Sequence, residues 1–85
     1  MKTIILSKSD FLLFQKIVSP EIQEKLGFLL NGDSIAISGS NAHLISVVES
    51  VGDELAEHGL SENSDPTQYG IVLERLIDLF SVGYD

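Results

Sequence analysis

The chain contains no cysteine and no tryptophan, and only five of its 85 residues are lysine or arginine. Without cysteine it forms neither a disulfide nor a thiolate metal site, and a reducing compartment suits it. The lack of clustered lysine and arginine argues against nucleic acid as a ligand, because such clusters neutralise phosphates. No apolar run approaches the roughly 18 residues that span a bilayer. We therefore expect a cytoplasmic protein with no membrane partner.

Acidic and apolar residues are what the chain has in excess. Thirteen Asp and Glu give a formal net charge of −8, and 44% of the residues are hydrophobic. Residues 1–25 hold four lysines and three acids, a balance of +1, whereas residues 26–85 hold ten acids and one arginine, a balance of −9. The apolar content is too high for a disordered chain, and 85 residues bury one modest core. We predict a single domain over residues 1–85.

The strongest periodic pattern predicts a helix over residues 41–60. Its apolar positions recur at helical spacing: Leu44, Val48, Val51 and Leu55, with Ile45 and Val47 widening the stripe. Asn41 stands where a helix needs a side-chain acceptor for its first free amides. At the other end, Gly59 predicts a left-handed cap, and Leu60 can fold back on the apolar face.

The N-terminal third predicts a strand and then a helix. The β-branched run at residues 3–6 is short enough for an edge strand. Ser9 predicts the N-cap of a helix over residues 10–18, where Asp10 suits the positive helix end.

Residues 20–38 allow two interpretations. In the favoured one, a helix runs from Pro20 to Leu30 and Gly32 closes it, because Pro is well placed at a first helical position. In the other, a short strand turns back at Asn31 and Gly32, and a second strand covers residues 33–38.

The last third predicts a loop followed by a helix. Residues 61–65 are polar, and the sequence Asp65-Pro66-Thr67-Gln68 has the pattern of a cap, a first-turn proline and a capping-box glutamine. The apolar residues of this helix share one side: Tyr69, Val72, Leu73, Leu76, Ile77 and Phe80. Together these elements predict a helix-rich α+β fold, with about four helices and one or two short strands in a single compact domain.

Two constellations suggest chemistry, and each has a simpler explanation. Ser40 and His43 invite a hydrolase interpretation, but no nucleophile elbow occurs and Ser40 suits helix entry. Glu54 and His58 lie four residues apart and could share a metal ion, yet His58 is equally explained by the helix dipole and a neighbouring carboxylate. We expect no enzymatic activity, no metal and no cofactor.

The tripeptide Asp33-Ser34-Ile35, preceded by Gly32, resembles the Asp-Ser-Leu motif of acyl carrier proteins. This resemblance implies that Ser34 carries phosphopantetheine and opens an acidic helix that docks basic enzymes. Ile35 departs from the leucine of that motif, and the residues that follow predict a strand and a turn instead.

The acidic residues suggest a protein-binding surface. Immunity proteins and antitoxins that block nucleases are commonly small and acidic, and charge steering speeds such association. The predicted partner is a basic protein, and the predicted partner-binding residues are Glu49, Asp53, Glu54 and Glu57, with Glu62 and Asp65 at the rim. A third hypothesis is a self-associating structural domain, such as a homodimer. It rests on the number of large apolar residues that so short a chain must bury, which include Phe11, Phe14, Phe28 and Phe80.

Overall fold

Four helices and three strands make up the part of the chain that the computed structural model describes, which is residues 2–63 and 65–83. Their order is β1 (Lys2–Ser7), α1 (Lys8–Ile17), α2 (Pro20–Glu24), β2 (Gly27–Asn31), β3 (Ser34–Gly39), α3 (Asn41–His58) and α4 (Gln68–Gly83). The prediction of a helix-rich α+β fold is confirmed. The sheet has one strand more than the one or two expected.

The strands form an antiparallel sheet in the order β1-β3-β2, so the predicted edge position of β1 is confirmed. Ile4 lies opposite Ile37, and Leu6 lies opposite Ile35. All of these side chains are buried, whereas Ile5 between them is exposed. Because successive residues of a strand point to opposite faces, one face of the sheet is apolar and lies in the core.

The helices cover this apolar face. Helices α1, α3 and α4, with the residue that caps the end of α1, contribute these buried side chains: Phe14, Val18, Leu44, Val47, Val51, Leu73, Leu76 and Phe80. The rings of Phe14 and Phe80 are stacked with their centroids 5.6 Å apart. The apolar faces predicted for the two longest helices therefore supply six of the thirteen buried apolar residues of the core.

The favoured prediction for residues 20–30 is wrong, because the helix stops early and a hairpin follows. Helix α2 ends at Glu24, and strand β2 pairs with β3 through contacts such as Leu29 opposite Ala36. Strand β3 is the central strand and needs hydrogen-bond partners on both of its edges. Strand β1 supplies the partners on one edge, and β2 supplies them on the other. The two-residue turn is Gly32-Asp33, one residue later than the hairpin alternative placed it. Gly32 has φ +62°, the left-handed conformation that such turns require at this position.

The first and third helices are capped by serines that precede the predicted caps. The Ser7 hydroxyl, not that of Ser9, accepts a hydrogen bond from the backbone N–H of Asp10 at 3.3 Å. Ser40, not Asn41, caps α3 by accepting from the backbone N–H three residues on, also at 3.3 Å. Ser7 is the last residue of β1 and Ser40 is the first residue after β3, so each cap stands where a strand ends and a helix begins.

Helix α4 begins later than the sequence pattern predicts. The Thr67 side chain accepts from the backbone N–H of Gly70 at 3.1 Å, and so it takes the capping role predicted for Asp65. Pro66 lies before the helix and forms an isolated antiparallel β-bridge with Leu60. Residues 61–63 and 65 form the predicted loop, and Ser64 lies outside the described residues.

Gly59 ends α3, but not in the predicted left-handed conformation. Its φ is −101°, and its N–H donates to the carbonyl of Leu55 at 2.9 Å. The glycine is needed because α4 crosses here, and a Cβ on Gly59 would lie 3.1 Å from the Cα of Gly70. A Cβ built on Gly70 would lie only 2.0 Å from the carbonyl oxygen of Gly59. The two backbones therefore meet with no side chain between them.

Candidate functional site: an acidic helix face

The outer surface of α3 carries a line of carboxylates. Glu49, Asp53 and Glu57 follow one another at intervals of four residues, and all are exposed. Such intervals place side chains on one face of a helix, about 6 Å apart along its axis. Helix α3 contains no lysine or arginine. We call Glu49, Asp53 and Glu57 the acidic stripe. The two salt bridges between described residues join Glu54 to His58 and Asp10 to Arg75, and neither involves the acidic stripe.

Ile45 extends the acidic stripe by one turn toward the N-terminus of α3. The sequence pattern assigned this residue to the apolar core, but 39% of it is exposed. Val47, assigned to the same stripe of core residues, is fully buried. The N-terminal end of the acidic stripe therefore offers an apolar contact that the periodicity did not distinguish from core.

Glu54, also predicted to bind a partner, is partly exposed and takes part in two side-chain hydrogen bonds. The Tyr69 hydroxyl donates to its Oε2 at 2.7 Å, and His58 Nδ1 lies 3.2 Å from its Oε1. The bond from Tyr69, together with the neighbouring His58, lowers the pKa of the Glu54 carboxyl. Burial, reinforced by the Glu54 carboxylate, raises the pKa of Tyr69 to about 12. Glu54 thus links α3 to α4, and its contact with a partner stays a prediction.

The two predicted rim residues, Glu62 and Asp65, are exposed in the connection that leaves the C-terminal end of α3. The N–H of Ser61 donates to the carbonyl of Asp65 at 2.8 Å. This bond closes a compact turn that begins at Ser61 and ends at Asp65. In the sequence, Glu62 and Asp65 follow Glu57, the last residue of the acidic stripe, by five and eight residues.

The serines considered for chemistry have structural hydrogen bonds. The Ser40 hydroxyl accepts a hydrogen bond from the backbone N–H of His43, and not from its imidazole ring. Ser34 is the first residue of β3, and its hydroxyl donates to the carbonyl of Asn31 at 3.0 Å. The resemblance to acyl carrier proteins implied a serine at the start of a helix, whereas this serine follows a hairpin turn. The strand predicted after it is present.

Over residues 2–63 and 65–83, no three His, Asp or Glu side chains come together in a group that could hold a metal ion. None of the helices described there combines the length and apolarity needed to cross a bilayer. An open groove of about 560 Å³ lies between β1 and α4, and its lining mixes charges of both signs: Lys2, Arg75 and Asp78.

Strand β2 presents a second surface, which is apolar. All five of its residues are exposed, including Leu29 at 67% and Leu30 at 70%, and none of them is charged. Phe28 makes edge-on contacts with the rings of Phe11 and Phe14, at centroid distances of 5.6 and 6.1 Å. Most of the aromatic surface that suggested self-association is therefore packed inside, and three of the large apolar residues that remain exposed follow one another on this strand: Phe28, Leu29 and Leu30.

No protein-family model, curated protein or solved structure matches the chain. Its function must therefore be inferred from the two surfaces described above.

Proposed function

We propose that this chain is a protein-interaction module that uses its acidic stripe to occupy a basic site on a partner protein. The observation that carries the proposal is the line of Glu49, Asp53 and Glu57 on a helix that has no lysine or arginine. An inhibitor of the immunity or antitoxin type is the form of such a module that best fits its size and its net charge of −8.

The expected energetics are those of charge steering. Carboxylates of one sign along a helix create a negative potential that accelerates encounter with a basic surface and repels phosphate or anionic lipid. Salt screens this attraction over a Debye length of about 10 Å at 0.1 M ionic strength. Binding should therefore weaken as salt concentration rises.

Ile45 supports the same surface, because charge alone seldom makes a stable complex. Binding energy in protein interfaces is concentrated in a few buried apolar or aromatic anchors surrounded by polar residues. Ile45 is the exposed apolar residue one turn before Glu49. We expect it to enter the partner's surface while the carboxylates set orientation and association rate.

The test is affinity purification from the native host with three forms of the tagged chain: the wild type, the acidic-stripe variant Glu49→Lys/Asp53→Lys/Glu57→Lys, and a control. The control, Glu21→Lys/Glu24→Lys/Glu74→Lys, makes the same change in net charge at exposed positions on α2 and α4. Bound proteins are identified by mass spectrometry at low and high salt.

The expected result is a basic protein that the wild type and the control retain at low salt and that the acidic-stripe variant loses. Retention of the same protein by the acidic-stripe variant would overturn the proposal. So would a set of retained proteins with no basic member.

A further inference from the structure

The groove beside β1 combines a strand edge with a helix. Four consecutive residues of the strand, from Lys2 to Ile5, line one side, and α4 lines the other with Arg75, Asp78 and Leu79. Four residues of extended chain span about 13 Å. The groove, with its volume of about 560 Å³, is therefore long enough for a short extended segment lying along β1.

The hairpin determines the direction of the backbone groups in β3. Asn31 and Ser34 flank the two-residue turn and form a hydrogen-bonded pair, so Ser34 directs its N–H and C=O toward β2. The direction alternates along a strand. Ile35 and Ile37 therefore direct their N–H and C=O toward β1.

This alternation leaves two residues of β1 with outward backbone groups. Leu6 and Ile4 lie opposite Ile35 and Ile37 and bond to β3. Thr3 and Ile5 direct their N–H and C=O away from the sheet, at the edge where β1 has no neighbouring strand. Over residues 2–63 and 65–83, no backbone hydrogen bond from outside the sheet reaches either residue. Two donors and two acceptors are thus open along the groove.

The charges in the groove restrict the chemistry of an occupant. Arg75 is already paired with Asp10. Lys2 and Asp78 take part in neither of the two salt bridges between described residues, and they have opposite charges. A ligand with charges of one sign, such as a nucleotide or a fatty acid, would meet a like charge at one of them. An occupant with both an acidic and a basic group complements both.

We infer that the groove binds an extended peptide segment of a partner protein, which joins the sheet as a fourth strand beside β1. The segment runs antiparallel to β1, as in the other pairings of the sheet, and exchanges backbone hydrogen bonds with Thr3 and Ile5. Its residue opposite Ile4 is apolar. Two positions toward its C-terminus an acidic residue lies opposite Lys2, and a basic residue elsewhere in the segment pairs with Asp78.

The other edge of the sheet does not select an occupant in this way, because β2 contains no charged residue. The groove also uses none of the acidic-stripe residues. The inference is therefore independent of the proposed function, and each is tested separately.

The first test is peptide display against the full chain. Random nine-residue peptides are selected separately on the wild type, on Thr3→Pro and on Thr3→Val. Proline removes the outward N–H, which the sheet does not use, and edge strands tolerate proline at such positions. Valine is the control, because it keeps both the N–H and the β-branched shape.

The expected result is a group of peptides that the wild type and Thr3→Val both enrich. Thr3→Pro should bind these peptides at least about tenfold more weakly, since one peptide carbonyl loses its donor. Circular dichroism checks that Thr3→Pro is folded. The absence of any peptide that distinguishes Thr3→Pro from Thr3→Val would overturn the inference.

The second test does not depend on the proline variant. Lys2→Glu reverses one charge at an exposed position of the groove. Selection on this variant should replace the acidic residue of the enriched peptides by a basic one, and their synthetic acidic forms should bind it at least about tenfold more weakly than they bind the wild type. Enrichment of the same acidic peptides by Lys2→Glu would contradict the predicted pairing.

The third test locates the bound peptide by amide hydrogen exchange. In the free chain the amides of Thr3 and Ile5 should exchange faster than those of Ile4 and Leu6, which bond to β3. A synthetic enriched peptide should slow exchange at Thr3 and Ile5 at least about tenfold. Phe28 is the control, because the same alternation directs its amide outward from β2, at the opposite edge. Protection at Phe28 without protection at Thr3 would overturn the inference.

Discussion

The hydroxyl of Tyr69 on α4 donates a 2.7 Å hydrogen bond to Oε2 of Glu54 on α3, and this bond joins the two longest helices. The acceptor is charged, and Tyr69 is half-buried, so water competes only partly for either group. Glu54 therefore stabilises the contact between α3 and α4. The carboxylates of the acidic stripe lie exposed on the outer surface of α3.

Replacing Tyr69 by Phe should lower the free energy of unfolding by about 1 kcal/mol, since it removes this hydrogen bond and leaves the ring packing in place. Urea unfolding at neutral pH measures the change. Glu57→Gln is the control, because it alters an exposed carboxylate of the same helix and should change stability by less than about 0.5 kcal/mol. Equal losses in the two variants would contradict the structural role of the bond.

The stabilisation contributed by Glu54 should disappear in acid. Its pKa in the folded state is lowered, first by the bond from Tyr69, so the contribution is complete above the ordinary pKa of 4.5. It is lost as pH falls through the folded-state pKa. The difference in stability between the wild type and Tyr69→Phe should therefore shrink below about pH 4. A difference that stayed constant down to pH 2 would point to a loss of packing instead.

Tyr69 should resist ionisation until pH about 12, because burial and the Glu54 carboxylate raise its pKa. A raised pKa means that its contribution to stability is complete below pH about 10 and is lost as pH rises from there to about 12. Ultraviolet absorbance of the phenolate measures the titration. The chain has two tyrosines, so a Tyr84→Phe background isolates the signal of Tyr69. A midpoint near pH 10 in the folded protein would contradict the contact.

Gly70→Ala should destabilise the fold by about 2–3 kcal/mol, because its Cβ would overlap the carbonyl oxygen of Gly59 and separate the crossing helices. Gly52→Ala is a matched control inside α3, where a Cβ meets nothing within 4 Å. That substitution should raise stability by about 0.5–1 kcal/mol, since alanine restricts the unfolded chain more than glycine does. Thermal unfolding of both variants separates the two effects.

Arg75→Met should cost about 1 kcal/mol, because it leaves the buried carboxylate of Asp10 without its partner. The cost is kept moderate because Arg75 is itself 57% exposed and its charge is screened by solvent. Adding Asp10→Asn removes the unpaired charge and should recover part of the loss. A double-mutant cycle measures this coupling, and strictly additive effects would show that the two side chains act independently.

Local patterns predicted the long helices well, because their apolar residues recur over many turns. Residues 20–31 show where this evidence is insufficient. Ile22, Leu26 and Leu29 fit a helical face, yet the same stretch contains Gly27, which favours neither element. The outcome depends on a partner far along the chain: β3 requires a second neighbour, and Gly27 allows close approach, since a Cβ there would lie 2.7 Å from the Ser38 hydroxyl.

The candidate site was predictable only in part. The exposure of Glu49, Asp53 and Glu57 follows from their four-residue spacing opposite the apolar face. The different environment of Glu54 depends on Tyr69, fifteen residues away on another helix, and no local pattern reports such a contact. The exposure of β2 was hidden for the same reason, because it follows from its place at the edge of the sheet.

The position of β3 between its two neighbours has a consequence for the order of folding. Its pairing with β2 closes only a two-residue turn, whereas its pairing with β1 joins residues near position 5 to residues near position 36. Short loops close faster and at smaller entropic cost than long ones. We expect the hairpin to form on the microsecond timescale and β1 to dock in a later step that also brings in the helices. Until then the outer edge of β3 is open to other strands, so the slower of the two pairings is the one that closes this edge.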